Sequence, residues 1–503
     1  MTAYRILEKD ESGRASATFI VSSEDASISN DARSSSETRD HHQLVGWRGF
    51  LRDIFLPAGY PATVSPDYLQ CQIYYGIQAF CSSLAGLLAS RAVLEGHGIG
   101  KADASATDAM LLTVIQDAFT RLATILSAYY LGTSLYPEAK TYRLVADIAN
   151  DVAIVTDILS PHLSAYALSS SYPYVLPQSG TALRTAALCL SGAFRALCGV
   201  AAGGSRAALT LHFAQDGHVP GDVGDLSAKD ASKETVLALI GMLAGSWILP
   251  HLHSTQATHA VVFLLLFGHL LANYIAVRVV VMRSLSKQRA GILWSAYHSQ
   301  PLAEKPSHRI LSPAEVAARE HLFGRENALL DSSSHSCRIA GYATIGSPVS
   351  SILPPQNSIF RREFFSRLRK SSWLSELLSI FSQERYIVWF DFSSSPLSCK
   401  PRFHILLKEG HTAEDHLKAW VFASDLATAC SRSGSVYERT PAELIQEVKM
   451  QMQLFDERFR GFVDALKSAG WDVDVPGLVS GSPKTVIIEG VAPEELSEDK
   501  KNI

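Results

Sequence analysis

Hydrophobic and polar positions along this chain follow two regimes, which change over near residue 282. Between 47 and 282, long apolar runs are separated by short polar breaks. Their spacing predicts six helices, over 68–94, 106–131, 142–160, 181–203, 232–250 and 257–284. Pro66 and Asp67 open the first, and Gly96, Gly98 and Gly100 close it. Pro161 is expected to end the third and Pro250 the fifth. The sixth contains the run 261–267, Val-Val-Phe-Leu-Leu-Leu-Phe, without the polar face that an aqueous surface requires. After Gly291 the pattern is that of a water-soluble domain. A polar linker leads to strands over 386–390, 402–407 and 484–488. It also leads to an amphipathic helix over 412–431, where Thr412 and Asp415 are close to a capping box, and a long helix over 441–469 behind Thr440. At the other end, residues 4–7 and 17–21 flank a polar turn and predict a hairpin, while 22–42 is rich in Ser, Asp, Glu and Arg and reads as a disordered linker.

Charge sharpens the division. The chain of 503 residues has 45 Lys+Arg and 49 Asp+Glu, a net charge of -4, so nucleic acid is not an expected partner. Only 25 of its charged residues fall within 61–282, and the 43 residues from 235 to 277 contain none. A membrane-spanning helix takes about 20 mostly apolar residues. The charge-free stretch, broken by the turn 250–256, therefore holds two. The competing reading is a buried hairpin in a large soluble bundle. Seven cysteines without a Cys-x-x-Cys pair read as buried reduced thiols. No apolar leader follows Met1, so no secretory signal peptide is expected.

Short matches between 148–154 and 271–277, and between Ala104-Ser105 and Ala231-Ser232, suggest two related triplets of helices. An odd number of spans per repeat places the two copies in opposite orientations, as in many secondary transporters. Six spans would put ten basic residues, among them Arg48, Arg52, Lys140, Arg143, Arg206, Lys229, Lys233 and Arg283, on the side of both termini, against three opposite. That bias predicts cytosolic termini.

Catalytic signatures fail on inspection. The Gly96–Lys101 stretch lacks the first Gly and the Ser/Thr of a phosphate loop, and the 202–206 segment has Ala207 where a nucleophile elbow needs Gly, so it reads as a helix end. His251 and His253 are two apart and do not share a helix face; His411 and His416 lack the spacing and glutamate of a zinc helix. No catalytic residue, metal or cofactor is expected. The informative residues are polar groups inside apolar helices, since intramembrane charges pair, face the interior or line a pathway. Asp117 and Arg121 are four apart, as are Asp147 and Asp151, with Asn150 adjacent. Paired carboxylates suit a proton or cation relay. Arg195 and Asn273, the repeat mate of Asn150, complete the candidate pathway. The competing role for these groups is a structural network locking helices together.

Residues 55–68, Phe-Leu-Pro-Ala-Gly-Tyr-Pro-Ala-Thr-Val-Ser-Pro-Asp-Tyr, resemble the root UV-B sensitive (RUS) family. So do 78–84, 143–151 and 225–235, the last carrying Ala228, Lys229 and Asp230; 272–278 and 407–410 add to the likeness. The loop 215–222 is longer than that pattern expects. The resemblance implies a membrane-associated protein without an established enzymatic activity, and plant members are linked to UV-B responses in roots, auxin transport and vitamin B6 homeostasis. The Lys229–Asp230 segment is expected to form a family-motif loop.

The expected fold is mainly α: a transmembrane bundle of about six helices in two related triplets, then a small α+β domain. Its divisions are an N-terminal segment (1–42), a membrane core (43–290), a linker (291–312) and a C-terminal domain (313–503). The expected function is non-enzymatic and transporter-like, binding or moving an unnamed small solute through the lipid bilayer of an organelle or the plasma membrane. The alternative is a membrane-bound scaffold whose C-terminal domain holds a protein partner or family paralogue.

Overall fold

A computed structural model describes residues 3–9, 15–22, 25–29, 50–52, 54–96, 106–169, 179–215, 219–299, 310–333, 338–352, 373–391, 400–432, 439–479, 481 and 483–488. The chain divides into two compact units, Met1–Val280 and Val281–Ile503.

In the first unit, β1 (Ala3–Lys9) and β2 (Ala15–Ser22) form the expected antiparallel hairpin. β3 (Asp25–Ser29) pairs with β2 inside the stretch read as disordered, because Ile20 and Ser22 still offer a strand edge to it. Six long helices follow: α1 (Tyr68–Gly96), α2 (Ala106–Leu131), α3 (Ala139–Ser169), α4 (Ser179–Gln215), α5 (Val223–Ile248) and α6 (Thr255–Val279).

Several boundaries differ from the expected ones. α3 continues through Pro161 to Ser169. Proline removes the bond to the carbonyl four residues back, but the Ser160 hydroxyl donates to that carbonyl, Asp157 O, at 2.9 Å, so the helix survives. α4 runs to Gln215, which puts residues 202–206 inside the helix and not at its end. α5 starts at Val223, capped by the Asp222 carboxylate accepting from Gly224 and Asp225 N–H. Lys229 and Asp230 are therefore helical rather than in a loop. A 3-10 turn, Leu249–His251, follows α5 at Pro250 as anticipated.

Contacts set the helix directions. Tyr68 and Arg91 of α1 reach Asp230 and Leu249 of α5, so these two run parallel. Gln78 and Ser82 meet Arg143 and Asn150, making α1 and α3 parallel as well. α6 opposes α3, since Asn273 meets Arg143 and His269 meets Asp151. Close packing of α1 on α5 depends on glycine: a Cβ on Gly241 would lie 2.8 Å from Phe80 O, and one on Gly245 would lie 2.7 Å from Leu84 and Leu87. The packing also follows the two triplets. α1 packs on α5 and α6, α4 packs on α2 and α3, and α3 meets α6, a set that is unchanged when the triplets are exchanged. The α1–α3 contact has no equally close counterpart.

The second unit is an α+β domain, with α7 (Lys287–His298), α8 (Pro313–Arg319), β4 (Ala328–Leu330), β5 (Ile339–Ile345), α9 (Trp373–Ile380), β6 (Tyr386–Phe390), β7 (Arg402–Lys408), α10 (Ala413–Arg432), α11 (Pro441–Ser468) and β8 (Thr485–Val486). Strand order is β4-β5-β7-β6 with β8 beside β7. β5 and β7 are parallel, while β4–β5 and β6–β7 are antiparallel. Its core packs the buried sheet residues against α7, α10 and α11, including Trp294, Trp389, Trp420, Phe422 and Phe455. Thr412 with Asp415 and Thr440 with Glu443 cap the two long helices reciprocally.

Candidate functional site

The polar residues of the first unit gather where α1, α3 and α6 meet. Asp147 and Asp151, one turn apart on α3, are both buried, as are His269 and Asn273, one turn apart on α6. The Asn273 amide donates to Asp147 Oδ2 and, at 3.3 Å, to Arg143 O. His269 Nδ1 lies 2.8 Å from Asp151 Oδ1 and its Nε2 lies 3.9 Å from Asp147 Oδ2. Arg143, four residues before Asp147, approaches it at 3.6 Å and lies over the Tyr75 ring. Gln78 of α1 bridges the group: its Oε1 accepts from Arg143 Nη2 at 3.1 Å and its Nε2 stands 3.1 Å from His269 Nε2.

Arg143 and Gln78 also form one wall of a cavity of about 480 Å³. The wall is otherwise aliphatic and aromatic, from residues such as Ile73, Phe80 and Phe213, with the pairs Arg206–Glu234 and Lys233–Asp230 at its polar edge. Lys233 Nζ is 2.8 Å from Asp230 and donates to Tyr68 Oη at 2.6 Å; Tyr68 in turn donates to Asp230 at 2.7 Å. Gln72 donates to the other Asp230 oxygen at 2.9 Å. Segments far apart in sequence converge here. Ala58 N–H donates to Asp225 at 2.8 Å, His212 lies 3.1 Å from Asp67, and Ser65 N–H donates to Phe213 O at 3.0 Å.

Of the candidate residues, the structure brings Asp147, Asp151 and Asn273 together and places Asp230 on the cavity. Asn150 donates to Ser82 Oγ at 3.1 Å. Arg195 is exposed and pairs with buried Asp157 at 2.5 Å. Asp117 and Arg121 are exposed on α2 and neither lines the cavity. Lys229 is half-buried on α5. Sequence reasoning missed His269, Gln78, Arg143 and Lys233 as site residues. The signal was present for His269: within 261–273 it and Asn273 are the polar side chains of an otherwise apolar helix, one turn apart. Arg143 was read as a topology marker, although it too stands one turn from Asp147.

In the second unit, Ser347 Oγ lies 2.9 Å from His404 Nδ1, and His404 Nε2 lies 3.5 Å from Asp391. The residue types are those of a hydrolytic triad. However, Gly346 and Ser347 N–H both donate to Ile405 O, at 2.8 and 3.2 Å, which takes up the donors an oxyanion would need at this serine. The group ties the β5 turn to β7.

The family model for a vitamin B6 photo-protection and homoeostasis domain matches residues 41–301, more than half of the chain. The chain belongs to the root UV-B sensitive family. The Dictyostelium discoideum RUS family member 1 is 32% identical over 282 residues, 55% of this chain and 48% of that protein, so the match spans about half the length of that relative. Arabidopsis thaliana root UVB sensitive 3 is 28% identical over 431 residues, 85% of this chain and 84% of its own. Arabidopsis root UVB sensitive 2, chloroplastic, is 20% identical over 424 residues, 84% of this chain and 81% of its own. No solved structure matches the chain.

Membrane association fits this RUS protein. Among the described residues, four helices are long and apolar enough to cross a membrane: Tyr68–Leu94, Ala182–Gln215, Val223–His251 and Thr255–Val279. Large apolar side chains stand exposed along the bundle, including Met110, Ile125, Trp247, Leu264 and Phe267. A soluble monomer rarely exposes so continuous an apolar surface.

Proposed function

We propose that this RUS protein is a non-enzymatic, transporter-like membrane protein that binds a small solute in the cavity beside Arg143 and moves it across the bilayer. The observation that carries this reading is the cavity itself, about 480 Å³ and walled partly by the buried Arg143–Gln78 pair. That volume is within the range of small-molecule sites, about 300–1,000 Å³. A largely apolar wall with a few convergent polar groups is also the usual make-up of such sites. Arg206, Lys229 and Lys233 belong to the same end of the bundle, so the positive-inside bias favours a cavity facing the cytosol, with both termini on that side.

The family description names vitamin B6 homoeostasis, which makes B6 vitamers the first solutes to test. Their pyridine ring suits the aromatic wall, and the phosphate of the phosphorylated forms suits Arg143, Arg206 and Lys233. Full-length protein reconstituted in lipid is expected to bind at least one labelled vitamer saturably, with Gln78→Leu and Lys233→Met each weakening binding about tenfold, the effect of losing one charged or polar contact of about 1.4 kcal/mol. No saturable binding of pyridoxine, pyridoxal or pyridoxal phosphate would remove the vitamer. Binding unchanged in both variants would remove the cavity as its site.

A further inference from the structure

Charge in the buried cluster does not balance as it stands. Arg143 answers Asp147. Among the described residues, His269, Asp147 and the Asn150 amide act on Asp151, and of these the histidine is the group able to carry the opposite charge. Among the described residues packed around His269, α1 presents Tyr75, Gln78 and Cys81, and α4 presents Cys198 beside the two aspartates, with Arg195 of the same helix already paired with Asp157. Asp151 is 5% exposed and His269 0%, so water does not screen the pair. Both Asp151 carboxylate oxygens, His269 Nδ1 and Asn273 Oδ1 are buried without a hydrogen-bond partner, although His269 Nδ1 stands 2.8 Å from Asp151 Oδ1. Two carboxylates and one guanidinium in such a place require one further positive charge.

We infer that His269 and Asp151 form a binding site for one exchangeable proton, and that its occupancy reaches the cavity wall through Gln78. The geometry supplies the path. With His269 carrying its proton on Nδ1, toward Asp151, its bare Nε2 accepts from the Gln78 amide while Gln78 Oε1 accepts from Arg143. A second proton, delivered to Nε2 from solvent hydronium, which is left as water, sets two donors face to face at 3.1 Å. Turning the Gln78 amide over relieves the conflict and withdraws its oxygen from Arg143. A proton bound beyond the cavity wall thereby changes the hydrogen bonding of a side chain within that wall. The proton site stands on this geometry; its use in driving a solute rests on the carrier reading above.

Infrared difference spectra of the full-length protein in phosphatidylcholine nanodiscs, taken between about pH 8.5 and about pH 5.5, test the site. The wild type is expected to show one buried imidazole–carboxylate signal. Asp151→Asn and Asp147→Asn should each abolish it, because removing either negative charge neutralises the cluster without a proton. His269→Gln should move the proton to Asp151 and replace the imidazole signal with that of a buried carboxylic acid. If Asp151→Asn does not fold, Asp147→Asn carries the same expectation. A spectrum shared by the wild type and the folded aspartate variants would overturn the inference. So would a signal that follows sodium concentration at fixed pH, which would assign the site to a metal cation. Intact proton signals with no vitamer binding would remove the carrier reading alone.

Discussion

Leu264 on α6 and Leu454 on α11 are almost equally exposed, at 70% and 65%, yet their helices are built in opposite senses. α11 turns Leu444, Val448, Phe455 and Phe462 into a core and leaves charged residues outside. α6 is apolar on its outer face and buries His269 and Asn273 completely. The same exposure therefore means different things. On α11 it stands with Met450 among otherwise polar neighbours, which costs little in water. On α6 it belongs to a surface with Phe263, Phe267 and Leu271, which suits hydrocarbon. Within the first unit the buried polar groups are the unusual feature, and Gln78 and Arg143 among them line the cavity.

The comparison can be broken outright by alkaline carbonate extraction of the expressed full-length chain. Complete retention in the membrane pellet is expected; release into the supernatant would mean that the exposed faces of α2, α5 and α6 meet protein or water instead of lipid. A smaller effect separates the two leucines. Leu264→Lys, near the middle of α6, should cost about 3 kcal/mol of insertion, read as the inserted fraction in microsomes. Leu454→Lys should change stability by about 0.5 kcal/mol or less, read by denaturation of the detergent-solubilised protein. Equal responses at the two sites would show that both units share one solvent.

A pH-dependent effect is expected in the second unit. Burial, reinforced by neighbouring His411, pushes the His416 imidazole down to about 4, and its Nδ1 has no hydrogen-bond partner. The folded chain keeps it neutral, while the unfolded chain protonates it near its ordinary value of about 6.5. Its contribution to stability is therefore present above about pH 6.5 and is lost as pH falls towards 4. His416→Gln should flatten that dependence in melting curves recorded across this window. A wild-type and variant pair with parallel pH profiles would show that His416 is not the cause.

Much of the fold was legible because its signals are local. Six apolar runs, the caps at Thr412 and Thr440 and the alternation through 402–407 depend on neighbours within a few residues. Boundaries were less legible where a distant or unusual partner decides them. Pro161 reads as a stop until Ser160 is seen to satisfy the carbonyl it frees. The Lys229–Asp230 segment reads as a loop until Asp222 is seen to cap a helix ahead of it. The candidate site was half legible. Spacing of four residues placed Asp147 and Asp151 on one face, and the same spacing in Asp117 and Arg121 marks an exposed face of α2. Helical periodicity shows which residues share a face but not what that face meets.

By itself the sequence determined which region is apolar enough for hydrocarbon and which is patterned for water, since charge density and run length decide what a segment tolerates. It determined that α3 and α6 each carry polar groups one turn apart. Only the tertiary structure decided that these two faces meet, that His269 lies against Asp151, and that Gln78 joins them to a cavity. The physical reason is range. Hydrophobic transfer and helix formation act through adjacent residues, whereas the neutralisation of a buried charge depends on whichever side chain the fold brings within a few ångströms.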